Sequence, residues 1–224
     1  MKFTKNSLMV LNNFRNINKN VVIRKGNVLK TISEARTVVA EATLDIEFPS
    51  DFGISDLSNF LNTINIFTDP EIEFFEDRVT IKENNIEYDY YRSSDAVLID
   101  PKYGKNPQLG EPICSFQIGK DDLKNIIKAA NVIKAVGNSG SVVRFYLNGK
   151  SELLVESKLK EKEAFKNVYR LLVKQDDNIN KFDFCVDSSN LTLLEDDYDI
   201  SIYERCTVFK GLNIPVTYYI AYIL

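Results

Sequence analysis

One pattern of residues occurs twice in this chain of 224 amino acids, and it narrows what the chain can fold into. Within residues 116–136, Leu123, Ile126, Ile127, Ala130 and Ile133 recur at helical spacing and make one apolar stripe. Lys120, Lys124, Lys128, Asn131 and Lys134 run along the neighbouring face. Asp121 and Asp122 sit in the first turn, where acidic groups complement the helix dipole, and Gly119 is placed to cap it. At an offset of 115 residues, segment 3–21 overlays this one: Lys5 meets Lys120, Leu8 meets Leu123, Asn16 meets Asn131, Lys19 meets Lys134 and Val21 meets Val136. A repeated apolar stripe needs only folding to explain it. A repeated polar stripe suggests that both helices face the same thing, although the plainest reading of a lysine face is a solvated one.

The rest of the chain repeats in the same order. In the first half the spacing predicts a helix over 4–17, a hairpin of strands 21–24 and 28–32, and a strand over 37–44. Pro49, Ser50 and Gly53 break the pattern before a helix near Ser55, whose Leu57, Phe60, Leu61 and Ile64 are apolar and whose Ser58, Asn59, Asn62 and Thr63 are not. Strands are expected at 72–75, 78–82 and 86–92. In the second half the lysine helix is followed by strands at 141–147, 152–157 and 164–174. Residues 182–186 then lead into a short helical piece capped by Asp187 and running to Leu194, and strands 198–203, 207–210 and 216–224 close the chain. Phe52-Gly53-Ile54-Ser55 resembles Phe184-Cys185-Val186-Asp187. Each half reads helix, three strands, helix, three strands. The expected fold is therefore α+β, as two similar domains at 1–92 and 114–224. Residues 93–113, with Pro101, Pro107 and Pro112, form the connector, and Val97-Leu98-Ile99 is a greasy triplet for such a segment.

Composition removes several kinds of chemistry. With 44% hydrophobic and 27% charged residues the chain suits a soluble protein of one large domain or two of about 110 residues. The start lacks the apolar run of a signal peptide, and the YYIAYIL ending is too short to span a bilayer. Cys114, Cys185 and Cys206 are scattered and odd in number, as expected of reduced core thiols. With no histidine, Ser-His and Cys-His catalysis and histidine-bound zinc are ruled out, and no phosphate-cradling glycine loop is present. No cofactor and no catalytic residue is expected. The acidic run Glu195-Asp196-Asp197 with Asp199, and Glu71, Glu73, Glu76 and Asp77, read as solvated turns; a two-metal nuclease would need such carboxylates, but nothing spaces them for it. The net charge of −4 argues against coating nucleic acid with the whole surface, yet leaves room for a basic patch on an acidic body.

The opening MKFTKNSLMVLNNF, then GNVLKTIS, TVVAEATL, FPSDFGISDLSNFLNTI, the proline-rich connector, FQIGKDDLKNIIKAANVI and the paired β-rich tails together resemble the sliding clamp of large tailed bacteriophages. The likeness is spread over nearly the whole chain and rests on the order and lengths of elements. It implies a ring of three two-domain subunits around duplex DNA, with twelve helices lining the hole and strands on the rim. Such a clamp has no catalysis of its own, is placed on DNA by an ATP-driven loader, tethers the replicative polymerase, also tethers late-transcription factors, and works in the cytoplasm of the infected bacterium.

On this reading Lys5, Arg15, Lys19, Lys120, Lys124, Lys128 and Lys134 face DNA. The resemblance further implies that the last strand of the first domain, with Glu87, Tyr88, Asp89 and Tyr90, pairs with a neighbouring subunit's strand carrying Lys166, Arg170 and Lys174. Val97, Leu98 and Ile99, together with Tyr219, Ile220 and Tyr222, would hold a C-terminal peptide of the polymerase. A non-ring DNA-binding accessory protein of the same fold is the alternative.

Overall fold

The computed structural model describes residues 1–101, 108–136, 140–160, 167–175 and 181–223. The chain divides into two units, Met1–Asn106 and Pro107–Leu224.

In the first unit, helix α1 (Lys5–Phe14) begins on a reciprocal cap in which the Thr4 hydroxyl accepts from the Ser7 amide and the Ser7 hydroxyl accepts from the Thr4 amide. Its Val10, Leu11 and Phe14 are buried, and it packs on the long strand β3 (Val38–Phe48). The helix stops well before residue 17. Asparagine is a weak helix former, and beyond Phe14 the Asn18 side chain turns to donate to the carbonyl of Ile32. The twofold repeat therefore holds only for the first turns: Lys5 and Lys120 both open helices, whereas Asn16, Lys19 and Val21 lie past the end of α1 and their counterparts are still helical.

The expected hairpin over 21–32 does not form. Strand β1 (Val21–Ile23) pairs antiparallel with β4 (Phe52–Ile54), and β2 (Gly26–Ile32) pairs with β3. Gly26, at φ +113°, carries the chain from one pairing to the other, and the β2–β3 register shifts there. Residues 49–53, read as a break, thus include the start of a strand. Along β2 and β3, Lys30 stands directly opposite Glu41, and their 2.5 Å ion pair lets a nearly buried lysine sit in the sheet.

Helix α2 (Leu57–Ile64) is capped by Asp56, whose carboxylate accepts from the Asn59 amide at 2.8 Å. Thr63, assigned to its polar face, is buried with its hydroxyl donating to the Asn59 carbonyl. Strands β5 (Glu71–Phe74), β6 (Arg78–Glu83) and β7 (Ile86–Tyr91) form a separate antiparallel sheet. Edge-to-face contacts link Phe3, Phe48, Phe74 and Phe52 in the core, and Phe60 of α2 meets Tyr90 of β7 at 5.0 Å.

In the second unit, Phe116 belongs to strand β8 (Cys114–Ile118), and the lysine helix α3 follows as Lys120–Val136. Strands β9 (Ser141–Leu147), β10 (Glu152–Leu159), β11 (Tyr169–Gln175) and β12 (Asp183–Asp187) make a sheet in the order β11-β10-β9-β12. The antiparallel strands β13 (Tyr198–Ile202), β14 (Cys206–Gly211) and β15 (Val216–Ala221) run side by side with β8 at the far edge. Helix α3 lies on β9 and β10, and the buried Ser157 hydroxyl donates to the Ile126 carbonyl at 2.8 Å.

The likeness of Phe52–Ser55 to Phe184–Asp187 reflects a shared device: each is a strand leading into an aspartate-capped turn. After Asp187, however, only a 3₁₀ turn, Ser188–Asn190, forms, so the expected helical piece to Leu194 is a single turn. Among the described residues three α-helices are present, and the fourth helix per subunit that the resemblance implied has this turn in its place.

Candidate nucleic-acid interface

Helix α3 separates its two faces as its spacing predicts. Leu123, Ile126, Ala130 and Ile133 are buried, while Lys120, Lys124, Lys128 and Lys134 are exposed. In the first unit Lys5 and Lys19 are exposed and Arg15 is half-buried at the end of α1; Lys19 stands 3.9 Å from Glu34. The lysine stripe of α3 is therefore built into one rigid helix, whereas Arg15 and Lys19 are carried by the chain beyond α1.

The acidic run next to α3 is not the solvated turn it was expected to be. Asp196 is 3% exposed, and its carboxylate accepts from the Ile214 amide at 2.8 Å, from the Asn213 side chain at 2.7 Å and from the Asn213 amide at 3.1 Å. Burial alone would raise this carboxyl, but the hydrogen bonds from Ile214, Asn213 and Asp197 prevail and hold it below the ordinary value. The Asp197 carboxylate accepts from the Lys120 amide at 2.8 Å and so caps α3. Just before them Glu195 pairs with Lys124, at 2.8 Å. The hydrogen bond and charge of Lys124 pull the Glu195 carboxyl down, with Lys120 and Lys128 adding to the effect. A cleft of about 180 Å³ lies between α3 and this turn, floored by Leu123, Ile127 and Leu194 and rimmed by Lys120, Lys124, Lys128 and Glu195. Among the described residues no group of three or more acids or thiols is arranged to hold a metal ion. Sequence reasoning missed Glu195 as a partner of the stripe, because nothing in local spacing shows that residue 195 reaches residue 124.

The strands assigned to a subunit joint, β7 and β11, each lie at an edge of their own sheet among the described residues. On β7, Glu87 and Tyr88 are exposed, and Asp89 accepts from the Thr80 hydroxyl at 2.6 Å. Tyr90 points the other way: its ring is buried against Phe60 and its hydroxyl donates to the Asp56 carbonyl, so its side chain is core. On β11, Arg170 donates at 2.6 Å to Glu156, a buried carboxylate that also lies 3.7 Å from Arg144. Lys174 lies on β11, and Lys166 lies outside the described residues. Both edges also carry large exposed apolar groups that charge patterning did not single out: Ile86 and Tyr91 (65% exposed) on β7, and Leu172 (56%) on β11.

The two greasy stretches divide as well. In the first unit, Leu98 packs where a Cβ on Gly53 would stand, the Ile99 amide donates to Asn20 at 3.1 Å, and Asp100 pairs with Arg24 at 2.6 Å. Leu98 thus has a local use, whereas Val97 is 60% exposed. In the second unit Ile220 is fully buried and belongs to the core, which corrects its assignment to a pocket. Tyr219 and Tyr222 are half-exposed, and the Tyr222 ring stacks on Phe184 at 4.3 Å while its hydroxyl donates to the Tyr203 carbonyl.

Comparison with known proteins agrees with this architecture. The family described as DNA polymerase processivity factor matches residues 4–98. The sliding clamp of Vibrio phage KVP40 is 26% identical over 223 residues, covering 99% of this chain and 98% of its own length. Two clamps of known structure superpose closely. One is the polymerase sliding clamp of Pseudomonas aeruginosa, with a TM-score of 0.67, 11% identity and coverage of 98% of this chain. The other is PCNA of A. fulgidus, solved with the C-terminal region of FEN-1, with a TM-score of 0.67, 14% identity and coverage of 97% of this chain and 94% of its own. The chain spans 62% of the length of the Pseudomonas protein. The fold is thus the α+β fold of the sliding clamps. Within that class the resemblance read from the sequence holds: the chain is similar to the sliding clamps of the phage type, its residues 4–98 match the DNA polymerase processivity factor family, and such proteins are not enzymes.

Proposed function

We propose that the chain assembles as a homotrimeric ring around duplex DNA and tethers the replicative polymerase. The observation that carries this is the division of α3 into a buried apolar face and an exposed face with four lysines, on a chain whose net charge is −4. A local basic stripe on an acidic body attracts phosphates without coating the protein in nucleic acid. Long, exposed lysines meet phosphates without reading bases, which leaves the grip indifferent to sequence, as sliding requires. Exposed apolar residues on the edges β7 and β11 favour these strands as the joint between subunits, since an unpaired apolar edge invites a partner strand.

A polymerase peptide would dock against the exposed Val97 and the half-buried Ile99 of the first unit. A clamp loader, late-transcription factors and a place in the cytoplasm of an infected bacterium complete this reading, by likeness to the phage clamps. The test replaces Lys120, Lys128 and Lys134 by alanine and measures binding to a short duplex over a range of salt. Each lost phosphate contact should reduce the magnitude of the salt slope by about 0.9. An unchanged slope in a folded triple variant overturns the assignment of α3 to DNA.

A further inference from the structure

Resting on the reading that α3 faces DNA, we infer that Glu195 is a built-in competitor for phosphate, which takes Lys124 out of the DNA-binding stripe and sets how firmly the clamp holds its track. The geometry is fixed from several directions. Leu194, just before Glu195, donates its amide to the Tyr218 hydroxyl and accepts from the Tyr198 hydroxyl. Asp196, just after it, is locked by the amides of Asn213 and Ile214. Asp197 then bonds the Lys120 amide, and one turn further along α3 stands Lys124, whose ammonium meets Glu195 at 2.8 Å.

Glu195 is thus held by buried neighbours on either side, beside the central lysines of α3, and is not part of a loose acidic loop. Both members of the pair are substantially exposed, so it adds little to stability. Its effect falls instead on the charge that DNA meets. A lysine paired with a carboxylate brings no net positive charge to a phosphate and so displaces little of the cation atmosphere condensed on DNA; Lys124 therefore contributes little to affinity while Glu195 is present.

The test is equilibrium binding of the full chain to a short duplex of mixed sequence, followed by fluorescence anisotropy across a salt series. Glu195→Gln should steepen the slope by about 0.9 and tighten binding about fivefold near 0.15 M salt. Lys124→Ala should lower the slope by less than Lys128→Ala does in the native background, and should cancel the gain in the Glu195→Gln background. Lys128→Ala serves as the control for the face itself and should lower the slope. If Lys128→Ala weakens binding while Glu195→Gln leaves it unchanged or weaker, the inference about Glu195 is overturned and the DNA face stands. If neither variant moves the slope, the face and the inference fall together.

Discussion

Replacing Asp196 by alanine tests whether the turn beside α3 is held by that one carboxylate. In the native structure it accepts from the Asn213 amide, the Asn213 side chain and the Ile214 amide, at 3.1, 2.7 and 2.8 Å. Hydrogen bonds to a charged group are each worth about 1.5–3 kcal/mol, and a donor left without a partner adds its own penalty. Asn213 is exposed and can turn to water, whereas Ile214 is half-buried, so the net loss should be about 3 kcal/mol. Urea unfolding of the two proteins at equal concentration reads this difference directly, and the match in concentration removes any contribution from the proposed ring assembly.

The pH dependence has a definite sign. The folded carboxyl titrates below its ordinary value of 3.8, so its stabilisation is fully present above that pH and is lost as pH falls through the lower folded value. The gap between native protein and Asp196→Ala should therefore be constant near neutrality and close below about pH 4. A gap under about 0.5 kcal/mol at neutral pH, the size of an ordinary surface change, would refute the argument.

Two further expectations concern partners. Leu172→Glu on the edge strand β11 should shift the assembled mass towards monomer in light scattering, and an unchanged trimer mass in that variant would remove β11 from the joint. Ile99→Ala should weaken a polymerase C-terminal peptide by about tenfold, or 1.4 kcal/mol, in calorimetry with assembled mass unchanged; unaltered affinity with lowered stability would make Ile99 a core residue.

The periodic parts of the fold were legible because burial writes itself into spacing. The stripe Leu123, Ile126, Ala130 and Ile133 predicted both the helix and its buried face, and alternation placed β6 and β7 closely. What escaped was set by distant residues. Strand β1 looks like half of a hairpin, yet its partner β4 lies across Phe52–Ile54, in a segment that proline and glycine marked as a break. The helix after Ser188 is a single turn, and the repeat between 3–21 and 118–136 dissolves past Phe14, because capping and turn bonds outweigh a shared spacing. At the site, the lysines could be read from sequence, but the roles of Glu195, Asp196 and Asp197 depend on contacts with residues 124, 213, 214 and 120. The inward side chains of Tyr90 and Ile220 escaped for a related reason: one residue of a strand can be core while its neighbours are surface.

The bond from the Lys120 amide to Asp197 has a consequence for the order in which the molecule becomes whole. Cap and helix are 77 residues apart, so the first turn of α3 is finished only when the turn before β13 arrives. On a ribosome the basic helix emerges long before its cap. Until that later segment closes back, the stripe of positive charge is carried by a helix with a frayed beginning, and Lys124 has no carboxylate beside it. Firm geometry and tempered charge reach the lysine face of α3 in the same step, from the same short stretch of chain.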